Sequence, residues 1–169
     1  MLLDLEQATE SLHLKAEVCI VGAGAAGMTL ARDLMNAGRD VCLLEAGGMD
    51  YEGSSQSLAE GRNIGAEYYD LDHSRLRFFG GTTNIWGGRS VPLDGIDFEK
   101  RDWVPHSGWP IKLDDLQKYY QIAHDSLELG EYDYEESNWQ KLNLSPIDFD
   151  QQKITTRFWR FDHLEERFN

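Results

Sequence analysis

The sequence has no apolar run near the ~20 residues that a membrane helix needs, which excludes a helical membrane anchor. It is poor in positive charge, with 16 Lys and Arg against 30 Asp and Glu and a net charge of −14. That balance excludes nucleic acid and anionic membrane surfaces as natural partners. Two cysteines in 169 residues do not make a disulfide framework. No nucleophile elbow, no Cys-x-x-Cys and no metal-ligand spacing of histidines is present, so no metal is expected. The first residues are acidic and carry no apolar signal core, which predicts a cytoplasmic chain without a secretory leader. Internal repeats and low-complexity tracts are missing too. What is left is a globular composition, 41% apolar and 11% aromatic, at the length of one domain. A chain of that length buries roughly 70% of its unfolded surface.

The organising stretch is Val18-Cys19-Ile20-Val21-Gly22-Ala23-Gly24-Ala25-Ala26-Gly27. A four-residue apolar run ends in a Gly-x-Gly-x-x-Gly turn, and a helical pattern follows. Gly22 suits the tight turn off the strand, Gly24 a close approach of backbone to pyrophosphate, and Gly27 a helix packed near the strand. First-turn amides and the helix dipole then favour an anion. Met28, Leu30, Ala31, Leu34, Met35 and Ala37 give the apolar helix face, and Gly38 is its stop. Asp40 to Glu45 reads as a second buried strand ending in a carboxylate. Glu45 stands 21 residues after Gly24, where a dinucleotide fingerprint places the acid that holds a ribose hydroxyl. Strand, helix, strand and acid in register predict dinucleotide binding over an ordinary glycine-rich βαβ turn. Cys19 and Cys42 fall at the same level if the strands are neighbours. They are a redox pair or, the favoured reading, two buried thiols acting as small apolar residues.

Downstream, Asp4 to Leu14 reads as a short polar helix, the βαβ unit as 16–46, and residues 50–76 show no clean period. The run Arg77-Phe78-Phe79-Gly80-Gly81-Thr82-Thr83-Asn84-Ile85-Trp86-Gly87-Gly88-Arg89 has too many glycines for a regular element through its centre. Its exposed amides suit a second contact with phosphate or a flavin ring, and its aromatic residues argue for a packed loop. Residues 114–129 predict a helix capped by Asp114 with Gln117, apolar at Leu116, Tyr119, Tyr120, Ala123 and Leu127, and closed by Gly130. Residues 131–150 read as a surface loop and 153–161 as a strand. His13, His73, His106, His124 and His163 have no partner pattern, so no catalytic residue is assigned.

Taken together, these motifs resemble the glucose–methanol–choline (GMC) oxidoreductase family. The matching residues are Val18–Gly27 with Glu45-Ala46-Gly47-Gly48, then Gly80-Gly81-Thr82-Thr83-Asn84, then Asp97-Phe98 through Trp103, Ser107-Gly108-Trp109-Pro110-Ile111 and the Tyr119-Tyr120 helix. The loop form is most similar to the bacterial sugar and alcohol dehydrogenase branch. The resemblance implies an α/β, Rossmann-like FAD-binding βαβ domain and oxidation of an alcohol or sugar CH–OH by hydride transfer to FAD. Gly22, Ala23, Gly24, Ala25, Ala26 and Gly27 would hold the pyrophosphate, Glu45 and Ala46 the adenosine ribose, and Gly80, Gly81, Thr82 and Asn84 the flavin side. Ile85 stands where some relatives have a flavin-tethering histidine, so a non-covalent flavin is expected. The family's catalytic histidine lies in a C-terminal part absent here. The chain is therefore expected to be the N-terminal portion of such an enzyme, inactive towards alcohols by itself. The alternative is a non-catalytic nucleotide-binding subunit completed by a C-terminal half or partner chain.

Overall fold

The computed structural model describes residues 1–135, 137–150 and 152–161. Two compact units divide it, Met1–Trp86 and a second from Gly87 onward, where length alone predicts one domain. His163, one of the five histidines to which the sequence gives no role, lies outside the described residues.

The first unit is built on β1 (Val18–Val21), α1 (Ala25–Asn36) and β2 (Val41–Leu44). The strands are short runs of Val, Ile, Leu and Cys, types that suit a pleated, half-buried surface. They pair in parallel, Val18 with Val41 through Val21 with Leu44, and the Gly22 amide extends the ladder to the Leu44 carbonyl at 2.7 Å. This is the Rossmann-like α/β arrangement expected. Gly38, at φ +76°, ends the helix by donating to the Met35 carbonyl at 2.9 Å. Gly27 sets how close α1 sits to β1. A Cβ built on it would stand 1.9 Å from the Gly22 carbonyl oxygen, closer than any side chain allows.

Several expectations are corrected. On α1 only Ala31 is buried, and Leu30 and Met35 are exposed, so the apolar face is narrower than the sequence pattern. Cys19 and Cys42 do face each other in register as free thiols, but Cys19 is exposed rather than buried. The reason is shared with Val21, which is 82% exposed: this sheet face is uncovered. The polar helix expected over Asp4–Leu14 shrinks to a 3-10 turn, Leu5–Gln7, capped by Asp4, because isolated short helices are marginal without a packing partner. Residues 50–76 form one-turn pieces, among them α2 (Gly53–Gln56) and α3 (Leu71–Ser74), too short to show a period. The glycine-rich run is not wholly irregular, since Gly81–Asn84 is a 3-10 turn.

The second unit pairs β3 (Arg89–Ser90) antiparallel with β4 (Arg160–Phe161) and carries α4 (Gly95–Phe98), α5 (Leu113–Ser126) and α6 (Ser137–Lys141). The N-cap of α5 is Lys112, not Asp114, and the Asp115 carboxylate, inside the first turn, accepts the Lys112 amide at 2.9 Å, so the helix starts earlier. The helix also stops at Ser126, short of the expected 129. The 131–150 stretch is not all loop, since α6 forms there and Lys141 bridges Asp133 at 2.7 Å and Glu131 at 3.1 Å. The strand expected from 153 is cut to Arg160–Phe161, because β3 offers only two residues to pair with. No helix among the described residues is long and apolar enough to cross a membrane.

Replacing Gly27 with alanine should overpack the α1–β1 contact, at a cost of about 1–3 kcal/mol. Gly53→Ala is the control, since a Cβ there meets nothing within 4 Å. Urea unfolding should show a lower midpoint for Gly27→Ala alone. An unchanged midpoint would refute the close packing.

Candidate functional site

The two strand ends are tied by one side chain. Glu45 follows β2, and its Oε2 accepts the Ala23 amide at 2.7 Å, across from the end of β1. Its Oε1 accepts the amides of Ala46 at 2.9 Å and Gly47 at 3.2 Å. Burial pushes this carboxyl's pKa up, but the three amide donors and the charge of Arg77 outweigh that and hold it below the ordinary carboxylate value. An ionised carboxylate offers about four acceptor positions. Three are filled, so Oε2 can take one further donor.

Beside it lies the start of α1. A helix leaves its first amides without intrahelical acceptors, and here those of Ala26 and Gly27 follow the Gly24 turn. A Cβ on Gly24 would meet nothing within 4 Å, so the space on that side of the turn is open. Open volume, free first-turn amides and a ready carboxylate fit the phosphates and a ribose hydroxyl of a dinucleotide.

The second glycine stretch closes on the first. The Gly80 amide donates to the Ala23 carbonyl at 2.9 Å, and Gly24 and Gly80 form a parallel bridge. A Cβ on Gly81 would lie 3.5 Å from the Gly24 Cα. The residues predicted to line the site, 22–27, 45–46 and 80–84, are thus brought together within the first unit. Thr82, Thr83 and Asn84 spend their side chains on the loop itself. Thr82 Oγ1 accepts the Leu76 amide at 3.2 Å, and Thr83 Oγ1 donates to the Gly80 carbonyl. Asn84 Nδ2 donates to the Phe79 and Gly81 carbonyls, both at 2.9 Å. Ile85 is exposed.

Sequence reasoning missed Ser55, Gln56 and Arg77. Ser55 and Gln56 are buried polar residues in a stretch with no period, and no sequence pattern marks them. Of the histidines, His13, His73 and His106 are exposed. His124 is buried, with Nδ1 3.1 Å from the Gly130 carbonyl and Nε2 2.9 Å from the Tyr134 hydroxyl, a structural placement.

The family model described as FAD dependent oxidoreductase (DAO) matches residues 17–144. The chain is also 32% identical, over 126 residues, to 6'''-hydroxyparomomycin C oxidase of Streptomyces lividus. That alignment covers 66% of this chain and 22% of the relative, so the chain spans under a quarter of that protein's length. No solved structure matches. These findings overturn the assignment to the glucose–methanol–choline family, since the matching family is a different one. The glycine turn and its acid answer to the dinucleotide, and different flavoprotein families share that need.

A carboxyl held below its ordinary value of 4.5 stabilises the fold above that pH and loses its contribution as pH falls through the depressed value. Thermal melts from pH 7 downward should show this loss in the native chain. In Glu45→Gln the acid-dependent component should be missing, and the variant should be less stable at pH 7 by about 1–3 kcal/mol, because a backbone amide loses its acceptor. Identical pH profiles would refute the role given to Glu45.

Proposed function

Because the chain belongs to the FAD dependent oxidoreductase family, we propose that it is the FAD-binding portion of an oxidoreductase acting on a CH–OH donor. When bound, FAD would supply the redox chemistry, as the acceptor for a hydride from the donor carbon. The chain's own residues bind and orient. Gly22, Ala23, Gly24, Ala25, Ala26 and Gly27 form the turn for the pyrophosphate. Glu45 and Ala46 meet the adenosine ribose, with Oε2 accepting one ribose hydroxyl. Gly80, Gly81, Thr82 and Asn84 line the flavin side through backbone more than side chain, since the side chains of Thr82 and Asn84 are engaged within the loop.

The observation that carries this reading is the Glu45 carboxylate, fixed by three amides at the joint of two parallel strands with one acceptor position to spare. The relative's name, an oxidase of a hydroxylated compound, supports a CH–OH donor. A second reading, a nucleotide-binding subunit completed by a further chain, is favoured by the uncovered sheet face at Cys19 and Val21.

Purified chain titrated with FAD should bind it, and acid precipitation should release all of the flavin, as Ile85 carries no nucleophile. Glu45→Ala should weaken FAD by about 1–3 kcal/mol, roughly 5- to 150-fold in Kd, because a ribose hydroxyl loses its acceptor. Unchanged affinity in that variant would sink the assignment.

A further inference from the structure

The residues that line the proposed FAD site come from three separated stretches, and none of the buried apolar side chains belongs to the 75–81 stretch. The buried apolar residues of the first unit are Ile20, Ala23 and Ala31, all from the βαβ unit. Beneath the 75–81 stretch lie instead two buried polar side chains, Ser55 and Gln56, with relative exposures of 7% and 4%.

All but one of their side-chain hydrogen bonds reach the 72–77 stretch. Gln56 Nε2 donates to the Asp72 carbonyl at 2.6 Å and the Arg75 carbonyl at 2.7 Å, and Oε1 accepts the Arg77 amide at 3.0 Å. Both hydrogens of the carboxamide are used and its oxygen is engaged, a set that neither a carboxylate nor an apolar side chain reproduces. Ser55 Oγ lies 3.2 Å from the Arg77 carbonyl and 3.4 Å from the Ala46 carbonyl, and the Ser55 carbonyl accepts Arg77 Nε at 3.1 Å. Arg77 thus has its amide, carbonyl and side chain all bound by this pair. From there the chain runs straight into the site: the Phe79 amide bonds the Gly48 carbonyl at 2.9 Å, and the Gly80 amide bonds the Ala23 carbonyl. Gly47 permits the approach, since a Cβ on it would lie 1.9 Å from the Arg77 carbonyl oxygen.

We propose that Ser55 and Gln56 are positioning residues that fix the Gly80-Gly81 loop over the Gly24 turn, and so set the affinity for the flavin half of FAD without touching it. The inference rests on the reading that this loop lines the flavin side. It separates the two halves of the cofactor. ADP carries the adenosine and phosphates, which meet the 22–27 turn and Glu45, whereas FAD needs the 80–81 loop as well.

The test is parallel titration of the whole chain with FAD and with ADP. In Gln56→Met, which keeps length and removes all three bonds, the Kd for FAD should rise at least tenfold while that for ADP stays within twofold. Glu45→Ala should weaken both ligands. If Gln56→Met fails to give a cooperative melt, Ser55→Ala decides, with FAD weakened at least threefold and ADP unchanged. Unchanged FAD affinity, or equal loss of FAD and ADP in the deciding Ser55 or Gln56 variant, would overturn the inference, the second outcome marking a merely structural role. A native chain that binds neither ligand, or a Glu45→Ala variant that binds both as before, would instead bring down the underlying reading of the site.

Discussion

One carboxylate decides how the first unit is arranged. Two parallel strands of four residues each cannot define a site by themselves, because their ends are free to splay. Glu45 joins them where the chain leaves the sheet on both sides, taking an amide from the turn after β1 and two from the turn after β2. Charge-assisted bonds of this kind are roughly twice as strong as neutral ones. The same negative charge lies beside the turn that opens α1, the end of a helix that favours an anion. An anchoring role and a ligand role are combined in one side chain, and the two are compatible because a carboxylate has more acceptor positions than the anchor uses.

Around that joint, the architecture is a matter of backbone meeting backbone. Gly27 stands against Gly22, Gly47 against Arg77, and Gly80 bonds across to Ala23. The first two approaches are closer than side chains allow, so order here comes from hydrogen bonds and the absence of Cβ atoms more than from apolar filling. Glycine at these points costs chain entropy on folding. The polar pair in α2 offsets part of that by holding the 72–77 stretch through five hydrogen bonds.

The parts legible in the sequence are those with a local signature. Apolar runs gave β1 and β2, the periodic pattern gave α1 and α5, and the Gly24-to-Glu45 spacing identified the acid that closes the joint. Gln56 and Ser55 left no such trace, since a buried carboxamide is recognised by its partners, which lie 16 to 21 residues away. The apolar character of Val21 and Leu30 was legible but misleading, because burial needs a neighbour and residue type alone does not supply one. The family was misread for a related reason: the glycine turn and its acid report the shape of a dinucleotide, and the resemblance leaned on motifs that different flavoproteins have cause to share.

The small apolar interior has a thermal consequence. Unfolding heat capacity grows with apolar surface exposed and shrinks with polar surface exposed. A unit that buries Ile20, Ala23 and Ala31 alongside Ser55 and Gln56 exposes little of the first and more of the second when it opens. Its stability curve is accordingly flatter with temperature than that of a greasy core of the same length, with a weak hydrophobic contribution to lose on cooling. Its denaturant dependence is shallow for the same reason, since that slope follows the surface released.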